Sequence, residues 1–321
     1  MAVREFGSYV AGGSTLVRDG LQARTLSVTQ TASYLYDPNG TYAIEHAWVQ
    51  YFIPVARNNQ PPVVLLHGGG LHGGMWDTTP DGRPGWTQQL VARGFEVHVV
   101  DNVERGRAGW IPEVWPDQPI LRNLEDAWTL FRFGDSAGFS RREPFEGCRF
   151  PVEHLETLGR YCCPRWLGNT AAQIAAFGAV LNRLETATVI CHSQGGEVAL
   201  KAAADHPEHI AGLIAIEPSG FANTIDSFRN IPLIIAAGDH LKATPLWQSL
   251  SGRWHDVVET VNRAGGAARL VNLAQNWPGT THMPMMDQGS EQMLDHLLET
   301  LAALAEKSPG SPKGMNPLSV A

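Results

Sequence analysis

One stretch constrains this chain more than any other: Thr188-Val189-Ile190-Cys191-His192-Ser193-Gln194-Gly195-Gly196-Glu197-Val198-Ala199-Leu200. A short β-branched run leads into a polar tip, two glycines and a run of helix formers that continues to Ala204. That order predicts strand, sharp turn and helix, with Ser193 at the tip. The pattern approaches G-x-S-x-G, in which tight packing of strand against helix pushes the serine Oγ out above a sheet. Cys191 stands where the first glycine would be, and a small residue there still lets the strand pass close to the helix. An ordinary helix-capping serine would share this local composition. The surroundings have to decide between nucleophile and cap.

Residues 1–60 alternate polar and apolar between turn signals such as Asp37-Pro38-Asn39-Gly40, which predicts an antiparallel β meander. Pro61-Pro62-Val63-Val64-Leu65-Leu66 is instead continuously apolar, the signature of a strand buried on both faces. It runs into His67-Gly68-Gly69-Gly70. A helix is predicted over 85–93 and a strand over 95–101. Residues 110–168 then break the rhythm: they are rich in Trp, Pro, Arg and Phe, with short helical patches such as 121–131. So long an insertion reads as a lid or cap over the carboxyl edge of the sheet. Alternation resumes with helices over 170–184, 196–205, 255–264 and from 290 to about 305, and strands over 188–192, 210–216, 232–237 and 268–273. No internal repeat is visible.

Alternating strands and helices imply a mostly parallel central sheet with helices on both faces. With a β meander in front and a serine turn in the middle, the expectation is an α/β-hydrolase fold, one domain over residues 1–306. A chain of 321 residues accommodates one such domain with insertions, and its 43% hydrophobic content supports a sizeable core. The tail 307–321, polar with three prolines, reads as disordered.

Several function classes drop out. The net charge is −8 and no run of lysines or arginines occurs, which argues against nucleic-acid and anionic-membrane partners. No stretch approaches the roughly 18 apolar residues of a spanning helix. The N-terminus has no apolar signal core, so the expectation is a cytoplasmic protein, secreted or periplasmic if a signal has been removed. The four cysteines fit no zinc spacing, and no metal or cofactor is expected. Adjacent Cys162 and Cys163 read as two reduced thiols in preference to a strained vicinal disulfide, and Cys191 as a small buried residue. The partner expected is a small-molecule ester, with a possible homodimer.

A serine nucleophile needs a base, itself held by an acid, and in this fold the chain order is serine, acid, histidine. His282, in Trp277-Pro278-Gly279-Thr280-Thr281-His282-Met283 between the last strand and the last helix, stands where the base belongs. His240 competes with Asp239 for one loop, and His192, next to the serine, reads as structural. Two acids qualify. Glu217 follows the first strand after the serine turn and Asp239 the second, and spacing alone favours Asp239. An oxyanion hole needs two backbone N–H groups, expected from Gln194 and from Gly69 in the glycine loop. No Gly-Lys-Ser/Thr follows those glycines, so a phosphate loop is not indicated. Leu71, Trp76, Trp110, Trp115, Trp277 and Met283 are candidate pocket walls, since pockets are lined mainly by apolar and aromatic groups.

Several segments together resemble one group: His67-Gly68-Gly69-Gly70-Leu71, Met75 to Trp86, His192-Ser193-Gln194-Gly195-Gly196, Ile216-Glu217-Pro218, Gly238-Asp239-His240 and Thr281-His282-Met283. It is that of the small bacterial α/β-hydrolase esterases related to the Alcaligenes esterase 713, and the likeness runs from about Phe6 to Leu301. The resemblance implies a serine esterase working through an acyl-enzyme, with Ser193, His282 and a glutamate after the sixth strand, matched here by Glu217-Pro218. It thereby shifts the expected acid from Asp239 to Glu217. That group also has paired cysteines in the oxyanion loop. Gly69 and Gly70 replace them here, so no disulfide role carries over. A lactonase, amidase or carbamate hydrolase would use the same triad, and a non-catalytic ligand binder on this fold would have a broken one.

Overall fold

In the computed structural model, residues 2–111, 114–115, 117–224 and 226–307 are described. The expected disordered tail lies, from 308 onward, outside them. Among the described residues ten strands occur in chain order: β1 Val3–Arg18, β2 Arg24–Ser27, β3 Ser33–Tyr36, β4 Gly40–Pro54, β5 Val63–Leu66, β6 Val97–Asp101, β7 Ala187–His192, β8 Ile210–Ile216, β9 Leu233–Ala237 and β10 Ala268–Asn272. The α-helices are α1 Trp86–Ala92, α2 Leu124–Leu130, α3 Leu155–Tyr161, α4 Thr170–Leu184, α5 Gln194–Asp205, α6 Pro245–Arg263 and α7 Ser290–Ala305. Eight strands form one sheet in the order β1-β4-β6-β5-β7-β8-β9-β10, parallel from β6 to β10 and antiparallel at β1 and β4. The expected α/β-hydrolase fold is the one observed.

The apolar strands explain the layers. Along β5, Val64 and Leu66 join one buried cluster while Val63 and Leu65 join the other, and β7, β8 and β9 split in the same way. Successive strand residues point to opposite faces, so both faces need helices. Phe177, Val198 and Trp254 of α4, α5 and α6 cover one; Leu90 and Leu297 of α1 and α7 cover the other.

Two elements differ from expectation. The front of the chain is not a sequential meander. β1 pairs with β4 from Val3↔Pro54 to Arg18↔Gly40, and β2 and β3 form a separate two-stranded ribbon between them. The Asn39 amide staples the ribbon's base, donating to the Leu21 carbonyl at 2.9 Å and accepting from the Leu21 N–H at 2.9 Å. Helix α6 begins at Pro245, ten residues before expectation, because Thr244 caps the Trp247 N–H and Pro245 supplies a helix-ready φ.

The site's location follows from strand order. The chain steps from β5 to β6 on one side and then returns across β5 to β7 on the other. This reversal opens a crevice at the carboxyl ends of β5 and β7. His67 and its glycines leave β5 there, and Ser193 leaves β7. The strands and α5 are held close by glycine: a Cβ on Gly195 would run into the His67 carbonyl oxygen, and one on Gly196 would lie 2.5 Å from the Pro218 Cβ.

Gly195→Ala should therefore lower unfolding free energy by about 1–3 kcal/mol through overpacking against backbone. Gly252→Ala should raise it by about 0.5–1 kcal/mol, since that glycine is exposed within α6 and a Cβ there meets nothing within 4 Å. Guanidinium denaturation of both variants measures the contrast in sign.

Candidate active site

Ser193 is the whole connection between β7 and α5, and it pays for that in conformation: φ is 52° and ψ −118°. Such backbone costs on the order of 1–3 kcal/mol and persists only where the surroundings impose it. Here they do. The Ser193 N–H donates to the Ile216 carbonyl at 2.9 Å, and the Ser193 carbonyl accepts from Gly196 at 2.9 Å and Ser219 at 3.0 Å. Gly68 lies alongside, where a Cβ would stand 3.3 Å from that of Ser193 and 2.5 Å from His192 Nδ1. A Cβ on Gly69 would lie 2.7 Å from Gln194 Oε1, so the glycine loop and the start of α5 adjoin. Among the described hydrogen bonds, neither the Gly69 nor the Gln194 N–H donates to a protein acceptor.

The loop is fixed from below. His67 Nδ1–H donates to the Gly68 carbonyl at 2.9 Å while Nε2 accepts from the Asn102 N–H at 3.2 Å. Those partners require a neutral ring, and burial pushes its pKa down to about 4. Asp101 accepts the Gly73 N–H at 2.5 Å and, on its other oxygen, the Arg107 N–H and guanidinium.

His282 is fully buried with Nδ1 2.5 Å from Glu217 Oε2. Glu217 leaves β8 with φ 44° and is itself buried. Its carboxylate accepts two further charged bonds from Arg132, at 2.8 and 2.5 Å, and the Gly238 N–H at 2.7 Å. Burial would raise Glu217, but Arg132 and His282 together outweigh it and hold the carboxyl at about 2. For His282 burial is the stronger influence and lowers its pKa below the usual 6.5, against the pull of Glu217. The His282 ring packs against His192 at 4.4 Å, Trp247 at 4.5 Å and Phe131 at 5.5 Å between centroids. Its backbone is pinned as well: its N–H donates to the Phe131 carbonyl at 3.0 Å, and His192 Nε2–H donates to its carbonyl at 2.9 Å.

Asp239, the other acid candidate, faces elsewhere. Its carboxylate accepts the Gly279 N–H at 2.9 Å and the His240 N–H at 2.7 Å, and its carbonyl accepts Arg132 Nε at 2.7 Å. Asp287 holds the histidine loop from the far side, accepting the Thr281 N–H at 2.7 Å and hydroxyl at 2.8 Å, and burial raises it to about 7.

The structure brings Ser193, Gln194 and Gly69 to one crevice and Glu217 to His282. The aromatic candidates scatter. Leu71, Trp76 and Met283 are fully covered core residues, with Trp76 packed 5.7 Å from Trp86. Trp110 is 56% exposed and packs on Trp166, Trp115 is half-buried, and Trp277 lies against His296. Sequence reasoning missed Arg132, Phe131 and Trp247. Arg132 occupies the left-handed position (φ 62°) that ends α2, a place glycine commonly takes. Nothing local marks it, because its partner is 85 residues away. All four cysteines are free thiols. One His–Glu group with metal-ligand spacing, His206, Glu208 and His209, lies before β8, at the sheet's opposite edge.

The described residues contain no helix long and apolar enough to cross a membrane. Comparison with known proteins agrees with the fold. A solved structure of a bacterial esterase superposes with a TM-score of 0.81 at 27% identity, covering 96% of this chain and 97% of that one. A "Probable secreted lipase phiG" from Fungal sp. is 28% identical over 210 residues, 60% of this chain and 54% of the lipase. A dihydrolipoyllysine-residue acetyltransferase component of the acetoin cleaving system from Cupriavidus necator is 37% identical over 67 residues, 18% of its length. The chain thus spans about half of the first curated relative and under a fifth of the second. The model of the alpha/beta hydrolase family matches residues 63–309. The chain belongs to that family.

Proposed function

We propose that the protein is a serine hydrolase that cleaves carboxylic esters through an acyl-enzyme. The observation that carries this reading is the 2.5 Å contact of His282 Nδ1 with Glu217, on a loop packed against the residue preceding the strained Ser193 turn. Ser193 Oγ attacks the ester carbonyl as His282 Nε2 takes its proton. The tetrahedral oxyanion is held by the free N–H groups of Gly69 and Gln194. His282 then returns the proton to the departing alcohol. In the second half, water attacks the acyl-serine with His282 again as base, releasing acid and free Ser193. Glu217 fixes the tautomer that leaves Nε2 free to accept and stabilises the imidazolium that forms. Arg132 acts one step further out, as a positioning residue for Glu217.

Ser193→Ala should remain folded and lose turnover by about a million-fold, with loss of covalent labelling by a fluorophosphonate. Glu217→Gln should cut kcat by about ten-thousand-fold. Asp239→Asn should be much milder, since the Asp239 carboxylate serves only backbone N–H groups. Steady-state kinetics on folded variants distinguish the two acids, and the reverse order would reassign the role to Asp239.

The pH dependence has a definite sign. The base must be neutral, and its pKa lies below 6.5, so kcat/KM should fall on the acid side with a midpoint under 6.5. Arg132 is among the charges that depress His282. Arg132→Gln should move that midpoint upward, whereas Arg132→Lys should keep it low while still reducing kcat through loss of the two-pronged contact. A pH profile of kcat/KM for the three proteins measures this.

A further inference from the structure

Three arginines for which the ester chemistry above has no use stand around the crevice, one of them directly on the Gly69 loop. Arg165, which closes the inserted segment by pairing with Ile120, lays its guanidinium on the loop: a Cβ at Gly69 would collide with Nη1 and stand 3.0 Å from Cζ. Its Nε is buried without a partner, and its other N–H groups donate to no described residue. Arg105, in the turn after β6, is 1% exposed. Only its Nη1 is bonded, to the Glu104 carbonyl at 3.3 Å, and its buried Nε and Nη2 have no partner. Arg122 lies on the base's side, 5.6 Å over the Phe131 ring that packs on His282. Asp126 takes one of its terminal nitrogens and its buried Nε stays unpaired.

The three form one field. Arg165 is held below the usual arginine range by burial and then by Arg122, against a smaller pull from Glu197; Arg105 is pushed down to about 10 by burial, with Arg165 adding to it against Cys163 and Glu104. The chain's balance of 24 basic against 32 acidic side chains makes chance crowding a poor account. Arg132, whose donors are all committed, is the contrast: Glu217 and the Asp239 carbonyl take all three of its nitrogens. Buried N–H groups without partners and like charges side by side are both costly. They are relieved together when an anion enters, and a planar guanidinium matches a carboxylate in two-pronged fashion.

Building on the proposed ester hydrolysis, we infer that the substrate is an ester that also carries a free carboxylate. Arg165 grips that carboxylate beside the Gly69 loop, while Arg105 and Arg122 supply the surrounding positive field. The carboxylate can belong to the acyl half, as in a dicarboxylic acid half-ester, or to the alcohol half. Either satisfies the same guanidinium.

The test separates binding from turnover. On Ser193→Ala, titration calorimetry compares monoethyl succinate with ethyl pentanoate for the acyl half, and O-butanoyl glycolate with propyl butanoate for the alcohol half. The carboxylate-bearing ester of one pair should bind about tenfold or more tighter, as charged hydrogen bonds warrant, and the pair that shows it names the half. Adding Arg165→Gln should remove the difference, and Arg165→Lys, which keeps the charge, should retain part of it. Equal binding within both pairs overturns the inference, as does a preference that survives Arg165→Gln in a protein folded by circular dichroism. Fluorophosphonate labelling of Ser193 is read separately. Absent labelling with an intact carboxylate preference would sink the serine-hydrolase reading and leave this site standing.

Discussion

Everything in the site hangs on one buried charge arrangement, the carboxylate of Glu217 held between Arg132 and His282. A carboxylate at zero exposure is costly to bury alone. With Arg132 on both oxygens and Gly238 on one, its acceptor capacity is filled and it stays ionised. That is why the neighbouring imidazole has a fixed partner although burial lowers its own pKa. Removing one member of such a group costs about 3–5 kcal/mol, because the other is left charged and unpaired. The sign with pH follows from the same contacts. Glu217 is depressed to about 2 from 4.5, so its share of stability is present above the ordinary carboxylate range and is lost as pH falls toward 2.

Backbone strain gathers around that arrangement. Ser193, Glu217 and Arg132 are three of the eight non-glycine residues with positive φ among the described residues, and they come from three separate loops. Ser193 and Glu217 are held by bonds from other elements, Ser193 by Ile216 and Ser219 and Glu217 by Ala236, while Arg132 is held by Thr129 of the helix it terminates. The parallel sheet makes this convergence possible. Six parallel strands end along one edge, so loops distant in sequence become neighbours.

How much of this was legible in the chain depended on the range of the interaction. The strands β5 and β7 to β9 announced themselves because burial on both faces demands unbroken apolar runs. The serine turn was visible because a strained tip and the two glycines behind it are consecutive. Chain order alone pointed to His282 as the candidate base. Spacing alone favoured Asp239, although both acids leave strand ends beside the same loop; resemblance favoured Glu217, and the two carboxylates have quite different partners. Arg132 left no trace, because an arginine at a helix end looks like any surface cation until its partner comes 85 residues later. The β1–β4 pairing was likewise hidden, since alternation fixes strand and face but not which strand is the neighbour.

The inserted segment 110–168 is better understood as a wall of the site than as a detachable flap. It supplies Arg132 to Glu217, the Phe131 carbonyl to the His282 N–H, and Cys163, whose N–H donates to the Gly70 carbonyl at 2.8 Å. Its own Trp128, Phe133, Phe150, Leu155 and Leu158 are continuous with the core beneath the sheet. A piece so connected cannot be excised without exposing apolar surface and stranding a buried carboxylate. Motion of the segment is therefore confined to parts that lack these anchors. Exposed Trp110, which packs on the buried Trp166, and exposed Leu167 have no such tie to Glu217 or His282 in the described contacts. That rim is the part of the segment least anchored to the site, while the stretch around Phe131 and Arg132 is held by its bonds to His282 and Glu217.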